Sequence, residues 1–274
     1  MDETTKESLR IWDALAPGYD RHRTMLNDLE GPVTERLYEA MDPHEGDTVL
    51  ELTAGAGEVG LRLAERRPDI HVIISDFAPS MVAVTARAVA ERGAVNVETR
   101  QIDAQDIGLE NSSVDGVISR YGIMLIPDHG KALGEIRRVL KPGRTLAYAV
   151  WGPLAANAWM MMMGATLMQR GHFTPPEGGG FFPLTTAEEN QEAAIKAGFD
   201  HVEVDVLDHP HAYPNFEAYW ELATELSGPL VEIVKSLSDE ERRAVHDQMK
   251  GFCEGFRDGE GYVLPAQRLF VRAW

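Results

Sequence analysis

The stretch ELTAGAGEVG, residues 51–60, combines a glycine-rich segment with a carboxylate. Gly55, Gly57 and Gly60 follow the GxGxxG spacing that lets a backbone approach the pyrophosphate of a dinucleotide. Glu51 precedes these glycines, and its negative charge would repel a pyrophosphate but attract an ammonium or a sulfonium group. The segment therefore favours a ligand such as S-adenosylmethionine, although the glycine spacing by itself leaves a dinucleotide open.

Two further carboxylates stand where strands are predicted to end. Asp76 lies near the end of the apolar run HVIISDF, and Asp103 closes VETRQID. Open α/β sheets bind ligands at the carboxyl ends of their strands, so we expect both side chains at one edge of a sheet. Taken singly, either acid could instead begin a helix or form a turn.

A sheet that could position these residues is visible in the pattern of the chain. Between Asp47 and Trp151 short apolar runs alternate with segments of helical period, which is typical of βαβ units. The runs predict strands at TVLEL, HVIISDF, VETRQID, VDGVISR and RTLAYAVW. Two later strands, DHVEVDVL and GYVLPAQRLFVRAW, are predicted to form an antiparallel edge. The sequence thus predicts an α/β fold with a seven-stranded, mostly parallel sheet flanked by helices.

Composition limits the classes of function. The 274 residues carry 26 Lys and Arg against 44 Asp and Glu, a formal net charge of −18, which disfavours nucleic acid as a partner. A single cysteine, Cys253, excludes an intrachain disulfide and a multi-cysteine metal site, and we predict no metal. No signal-peptide pattern or membrane-span length of apolar sequence is present. We therefore expect a cytoplasmic protein that acts on a small molecule without stable membrane insertion, in an oligomeric state that stays open.

Longer segments of the chain resemble a known family. SSVDGVISRYGIMLIPDHGKALGEIRRVLKPGRTLAYAVW and the earlier WDALAPGYDRH resemble the class I S-adenosylmethionine-dependent methyltransferases, in the branch of the ubiquinone and menaquinone biosynthesis methyltransferases. The resemblance covers residues 12–151 clearly and the last strands more loosely. It departs from the family pattern at Thr53 and Arg144, each of which replaces a glycine. The family implies a Rossmann-like sheet, S-adenosyl-L-methionine as methyl donor and S-adenosyl-L-homocysteine as product.

The resemblance also implies roles for individual residues. Asp76 would hold both ribose hydroxyls, and Asp103 would accept a hydrogen bond from the adenine amino group. Tyr19 would close over the cofactor, and Met81 would cover the adenine. The full set of implied cofactor-binding residues is Tyr19, Glu51, Thr53, Ala54, Gly55, Gly57, Asp76, Phe77, Met81, Asp103, Ala104 and Ser119.

The chemistry of methyl transfer asks little of a catalytic base. Displacement at a sulfonium has a good leaving group, so positioning supplies most of the catalysis, and a base is needed only for a weakly acidic acceptor. His129, after the fourth strand, and His172, beside a loop rich in Pro and Gly, are the candidate bases. For each of them a surface or capping role is the alternative.

The segments outside the common core are predicted to bind the acceptor. They are a helical cap at residues 1–41, a Met-rich helix and the loop FTPPEGGGFFP within residues 152–184, and a helical insertion at about 213–258 within residues 185–274. The cofactor-binding core itself is residues 42–151. Apolar and aromatic side chains in these segments predict an apolar or aromatic small-molecule acceptor; the aromatic ones are Trp159, Phe181, Phe182, Phe216, Tyr219 and Trp220.

The placement of these segments also predicts a lid. A displacement reaction needs water excluded, yet both ligands must enter and leave the site. Gly178, Gly179 and Gly180 give the loop backbone freedom, and Tyr19 lies on the segment that would close over the cofactor. We predict that residues 10–25 and 173–183 are mobile without ligand and become ordered with it.

Two other functions stay open. The GxGxxG spacing and the acid after the second strand also permit an NAD(P)-dependent oxidoreductase. A methyltransferase-like fold could instead bind the cofactor without transferring its methyl group, because fold does not fix chemistry. Calorimetric titration with NAD(H) and with S-adenosylhomocysteine distinguishes an oxidoreductase from a methyltransferase. A mass gain of one methyl group on an acceptor distinguishes a methyltransferase from a fold that only binds the cofactor.

Overall fold

The computed structural model describes residues 3–175 and 182–274, and within them the chain forms two compact units. The first unit is drawn from Met1–Val150, Leu184–Val206 and Leu269–Trp274, and the second from Trp151–Pro183 and Leu207–Arg268. The strands are β1 (Thr48–Glu51), β2 (His71–Asp76), β3 (Val97–Gln101), β4 (Val114–Arg120), β5 (Leu140–Trp151), β6 (Val202–Asp208), β7 (His211–Tyr213), β8 (Arg257–Asp258), β9 (Gly261–Leu264) and β10 (Gln267–Ala273).

The α-helices lie before, between and after these strands. Three of them precede the first strand. In chain order they are α1 (Glu3–Arg21), α2 (Arg23–Leu29), α3 (Gly31–Met41), α4 (Glu58–Arg66), α5 (Pro79–Arg92), α6 (His129–Val139), α7 (Ala158–Gln169), α8 (Ala187–Lys196), α9 (Phe216–Leu226), α10 (Leu230–Ser236) and α11 (Asp239–Cys253).

A seven-stranded sheet forms the centre of the first unit, in the order β3-β2-β1-β4-β5-β10-β6. The first five strands of the chain pair in parallel. Beyond the ends of β6 and β10, His201 and Trp274 exchange both backbone hydrogen bonds, at 3.1 and 3.0 Å, which is the pattern of antiparallel neighbours. The predicted α/β fold, with a mostly parallel sheet and an antiparallel edge, is confirmed.

Local sequence signals explain where the helices begin and end. Pro79 stands at the start of α5, where its missing N–H costs no hydrogen bond, and Gly93 ends the helix in a left-handed conformation, with φ +65°. Thr186 and Glu189 form a reciprocal capping box at the start of α8. These helices flank the sheet because their apolar faces need the buried strands between them.

The last predicted strand, GYVLPAQRLFVRAW, is wrong as a single element. The chain forms two strands there, β9 and β10, and Pro265 lies between them. Proline has no N–H to give to a ladder, so it interrupts strand pairing. β9 pairs instead with β7 and β8 in a three-stranded antiparallel sheet that the sequence did not predict.

The second unit combines this small sheet with α7 and α9–α11. Met162 and Met163 on α7 are buried while Met161 is 40% exposed, so the four consecutive methionines do not share one environment. Cys253 is buried, and its Sγ lies 3.2 Å from the Met162 Sδ. Among the residues that the structure describes, no helix is both long enough and apolar enough to cross a membrane.

Candidate functional site

The glycine segment forms a tight loop between β1 and α4. The Ala54 N–H donates to the Ser75 carbonyl at 2.9 Å, which ties the loop to β2. Gly55 and Gly57 adopt left-handed conformations, with φ +58° and +75°, that side chains rarely allow. The loop therefore turns sharply at the carboxyl edge of the sheet and leaves Thr53, Ala54 and Gly55 partly exposed.

Thr53 adopts a left-handed conformation although it replaces a glycine of the family pattern. Its φ is +57°, which is unfavourable for a β-branched residue. The Thr53 hydroxyl donates to the Leu52 carbonyl and lies 2.8 Å from the Ser119 Oγ, so Ser119 donates to Thr53. Ser119 is fully buried at the end of β4. This pair of hydroxyls fixes the start of the loop against the neighbouring strand.

Glu51 lies beneath the loop, with only 1% of its surface exposed. Its Oε2 accepts a hydrogen bond from the Gly60 N–H at 2.8 Å, in the first turn of α4. Burial raises the pKa of the Glu51 carboxyl to about 8, although the Gly60 hydrogen bond and the charge of Arg120 act in the opposite direction. A side chain at Gly60 would collide with Glu51, because a Cβ there would stand 2.4 Å from Oε2.

Asp76 joins the end of β2 to the glycine loop. Its Oδ2 accepts from the Gly55 N–H at 2.9 Å, and its Oδ1 accepts from the Ala78 N–H at 3.0 Å. Burial raises the pKa of this carboxyl, against the effect of these backbone hydrogen bonds. Each carboxylate oxygen can accept a further hydrogen bond, so Asp76 is oriented and still able to take a ligand hydroxyl.

Asp103 stands just beyond β3, the outer neighbour of β2. Its Oδ1 accepts from the Gln105 backbone and side chain, at 2.9 and 3.1 Å, and the side chain stays partly exposed. Phe77 is also partly exposed, whereas Met81 and Ala104 are 1% and 4% exposed. The structure thus brings Asp103, Asp76 and the glycine loop to one edge of the sheet, in the order of their strands.

Tyr19 lies over the glycine loop from α1. A Cβ on Gly55 would stand 3.7 Å from the Tyr19 Cδ1, so the ring is in contact range of the loop. On the same helix Asp13 accepts from the Ser80 N–H at 2.9 Å, which attaches α1 to the start of α5. Burial, together with the negative charge of Asp76, raises the pKa of Tyr19 to about 12, and Arg120 opposes the shift.

The two candidate bases occupy different units. His129 is the first residue of α6 in the first unit, next to its N-cap Asp128. His172 belongs to the second unit, where its Nε2 lies 2.9 Å from the Glu241 Oε1 and Arg170 pairs with the same carboxylate. Both partners hold the pKa of Glu241 down, to about 2. This cluster joins the end of α7 to the start of α11, which is a structural contact for His172.

Arg120 is a charged residue at this edge that motif matching did not select. It ends β4, and its Nη1 donates to the Thr34 Oγ1 on α3 at 2.7 Å. In the sequence, the only indication of a role for Arg120 is its position at a strand end, on the edge where the acids of β2 and β3 stand. That position alone does not distinguish it from other charged residues at strand ends.

Comparisons with known proteins agree with this architecture. A family model described as a methyltransferase domain matches residues 49–143. A demethylmenaquinone methyltransferase of Listeria monocytogenes serotype 4a (strain HCC23) is 30% identical over 191 residues, covering 69% of this chain and 79% of that protein. The chain therefore belongs to the class I S-adenosylmethionine-dependent methyltransferases, in the branch with the menaquinone and ubiquinone biosynthesis enzymes.

Solved structures of other proteins share this fold. The YcgJ protein of Bacillus subtilis superposes with a TM-score of 0.59 at 17% identity, over 88% of this chain and 96% of that one. The [4+2]-cyclase SpnF superposes with a TM-score of 0.56 at 19% identity, over 95% of each chain. At these identities the likeness shows the fold alone, and the methyl-transfer activity rests on the family to which the chain belongs.

Proposed function

We propose that this S-adenosylmethionine-dependent methyltransferase transfers the methyl group to an apolar or aromatic small molecule, with S-adenosylhomocysteine as the second product. Binding of S-adenosylmethionine is supported above all by the contact between Asp76 and the Gly55 N–H, because it joins a carboxylate to the glycine loop at one edge of the sheet. When bound, the cofactor supplies an electrophilic methyl group on a sulfonium. The residues of the chain bind and orient it.

In this proposal the cofactor lies along the carboxyl edge of the sheet. Asp103 faces the adenine beyond β3, with Phe77, Met81 and Ala104 forming its apolar surroundings. Asp76 holds the ribose hydroxyls, since its oxygens are already fixed by two backbone N–H groups. The left-handed glycines have no side chains, so the backbone of the loop can approach the cofactor closely.

The remaining members of the set act around the loop. Thr53 and Ser119 fix the loop against β4, and Ala54, Gly55 and Gly57 present the backbone. Glu51 lies below the loop and holds the first turn of α4 through the Gly60 N–H. Tyr19 covers the loop and excludes water from it.

Aromatic side chains of the second unit support the proposed type of acceptor. Trp151, Trp159 and Phe182 are partly exposed and form one cluster, with the Trp151 ring centroid 5.5 Å from that of Trp159 and 5.2 Å from that of Phe182. Such faces bind flat apolar molecules well. The relative from Listeria is named for demethylmenaquinone, which is itself an apolar aromatic molecule. Phe181, which was also predicted to line the acceptor site, lies outside the described residues.

The test is a search for the methylated product. The protein is incubated with S-adenosylmethionine and a panel of apolar aromatic phenols, quinols and amines, matched to polar acceptors of similar size, and each acceptor is examined for the mass gain of one methyl group. We expect gain only among the apolar aromatic members. Gain confined to polar acceptors would overturn the proposed acceptor class. Cofactor binding without any methyl gain would favour the non-transferring alternative.

A further inference from the structure

Tyr121, the first residue after β4, has a backbone conformation that a bulky residue rarely adopts. Its φ is +62°, in the left-handed region. Its N–H donates to the Ala149 carbonyl on β5 at 2.8 Å, which fixes this residue to the sheet. Residues with strained backbones persist where the surrounding structure holds them, and they are concentrated at functional sites. The conformation of Tyr121 is therefore of the kind that a functional site retains.

Tyr121 also lies next to the glycine loop. Residues on both sides of it contact Thr53 of that loop, since the Ser119 Oγ lies 2.8 Å from the Thr53 Oγ1 and Gly122 packs against the same side chain. In the sheet order β3-β2-β1-β4-β5, the chain winds outward in one direction from β1 and in the other from β4. Open α/β sheets bind ligands at such a reversal, beyond the carboxyl ends of the strands. Tyr121 therefore stands where a ligand of this sheet is expected.

A buried carboxylate stands behind the Tyr121 phenol. The hydroxyl donates to the Glu30 Oε2 at 2.5 Å. Glu30 lies between α2 and α3 and is only 5% exposed, whereas Tyr121 is partly exposed. A phenol oxygen can accept one hydrogen bond while it donates another. The pair can thus pass a proton inward, from a group that contacts Tyr121 to the buried carboxylate.

The helical cap carries a second buried oxygen close to Glu30. Asn27 is 2% exposed and precedes Glu30 by three residues, so the two side chains leave the α2 backbone on one side. Within residues 3–175 and 182–274, the Asn27 Oδ1 accepts no hydrogen bond. A buried carbonyl oxygen without a donor is unfavourable, and the hydroxyl of a ligand would supply one. This oxygen points, independently of Tyr121, to a ligand with a hydrogen-bond donor.

We propose that Tyr121 is a catalytic base of the methyl transfer and that Glu30 receives the proton through it. The inference rests on the proposed function and adds the class of acceptor, a weakly acidic hydroxyl such as that of a phenol. The acceptor oxygen bonds to the methyl carbon, the carbon–sulfur bond breaks, and its electron pair stays on the sulfur of S-adenosylhomocysteine. The acceptor proton moves to the Tyr121 oxygen and the Tyr121 proton to Glu30, which then releases it to water.

The roles of the two residues follow from their environments. Burial favours the neutral form of a carboxyl group, so Glu30 is suited to receive a proton. Tyr121 stays neutral, because it loses one proton as it gains another. A weakly acidic acceptor gains from such a base, whereas an acceptor that is already ionised does not. The dependence of the rate on acceptor acidity therefore distinguishes proton transfer from a structural contact.

The test uses two phenols of similar size and different acidity, 4-propylphenol and 4-nitrophenol, in a weakly alkaline buffer that ionises the nitrophenol. Turnover with S-adenosylmethionine is measured for the unaltered protein, for Tyr121→Phe and for Glu30→Gln. We expect kcat for 4-propylphenol to fall about a hundredfold or more in each variant, the scale of general base catalysis. The kcat for 4-nitrophenol should fall less than about tenfold.

A similar pair in the second unit is the matched control. The Tyr262 hydroxyl donates to the Glu254 Oε1 at 2.9 Å. Tyr262→Phe and Glu254→Gln should leave kcat for both phenols unchanged. Calorimetry with S-adenosylhomocysteine checks that all four variants keep their cofactor affinity, which a damaged fold would lower.

Several results would overturn the inference. An equal fall of kcat for both phenols in Tyr121→Phe, or a loss of its cofactor affinity, would mean that the pair only maintains the fold. Unchanged kcat for 4-propylphenol in both variants would mean that no proton passes through the pair. If the unaltered protein methylates other apolar aromatic acceptors but neither phenol, the inference fails and the proposed function stands. If it methylates no apolar aromatic acceptor at all, both fail.

Discussion

Gly122 packs directly against Thr53, so closely that a Cβ on Gly122 would stand 1.7 Å from the Thr53 Oγ1. The backbone of Gly122 has φ −104°, which any residue can adopt. Glycine is therefore required there by the side chain of Thr53 and not by the backbone of Gly122. Thr53, which replaces a family glycine in the loop, therefore needs a glycine just after β4, the strand beside β1 in the sheet.

This contact predicts a dependence between the two positions. Gly122→Ala should lower the free energy of unfolding by about 1 to 3 kcal/mol, because overpacking forces a shift in the loop. The same change in a Thr53→Gly background should cost far less. Urea denaturation of the four proteins gives the coupling energy, and an equal loss in both backgrounds would contradict the contact.

The cofactor role of Asp76 predicts a loss of affinity. Asp76→Asn keeps the size of the side chain but removes the charge that strengthens hydrogen bonds to the ribose hydroxyls. We expect the affinity for S-adenosylhomocysteine to fall at least about tenfold, since charged hydrogen bonds contribute roughly 1.5 to 3 kcal/mol. The exposed Asp69, which pairs with Arg67, is the matched control as Asp69→Asn. Unchanged calorimetric affinity in a folded Asp76 variant removes Asp76 from the site.

The burial of Glu51 predicts a pH-dependent stability. Between the ordinary carboxyl pKa of 4.5 and the folded value of about 8, the folded chain keeps a proton that the unfolded chain has released. The free energy of unfolding should therefore fall as the pH rises through this window, by up to about 1.4 kcal/mol per pH unit. Glu51→Gln removes this contribution.

Urea denaturation at several pH values from about 5 to about 8 measures the effect of Glu51. The stability of Glu51→Gln relative to the original protein should increase steadily toward the higher pH. Asp76 contributes equally to both proteins, so the difference isolates Glu51. Parallel curves for the two proteins would show that Glu51 is ionised throughout the window.

Tyr19 lies over the glycine loop, so the predicted lid can be tested at residues 10–25. Hydrogen exchange in this segment should slow when S-adenosylhomocysteine binds, because the ligand would lie under Tyr19. Residues 129–139 of α6 serve as an internal control that should exchange at the same rate in both states. Equal protection of residues 10–25 with and without ligand would mean that the site is preformed. The other predicted lid segment, residues 173–183, includes Gly178, Gly179 and Gly180, which lie outside the described residues.

The aromatic cluster predicts an effect on the acceptor alone. Phe182→Ala should raise the KM for the acceptor by about tenfold or more, since burying a phenylalanine contributes roughly 1.5 to 3 kcal/mol. The affinity for S-adenosylhomocysteine should not change. Phe252→Ala, which truncates an exposed phenylalanine of the same unit, is the control and should alter neither value. If the two variants raise the acceptor KM to the same extent, the cluster has no specific role.

Much of the first unit could be predicted from the sequence because its signals are local and repeated. Apolar runs marked the strands, and Pro79, Gly93 and Thr186 marked helix ends. The acids Asp76 and Asp103 followed from their positions at strand ends. The small sheet of the second unit gave no such signal, because its strands are two to four residues long and too short to show a period.

The details of the site depended on contacts between distant parts of the chain. The sequence placed Glu51 at the mouth of the loop, but its bond to Gly60 and its burial arise from how α4 follows the loop. The left-handed conformation of Thr53 depends on Ser119 and Gly122, which belong to another strand and its exit. Arg120 lies beside the glycine loop only because β4 pairs with β1.

The place of β10 in the sheet has a consequence for how the protein is made. β10 lies between β5 and β6 but follows both of them along the chain. While the ribosome is still translating the second unit, β5 therefore has an open edge that no later strand has yet covered. The sheet of the first unit is completed by β10, the strand that is synthesised last among its seven. Folding of this unit therefore cannot finish until the intervening segment and β10 have been translated.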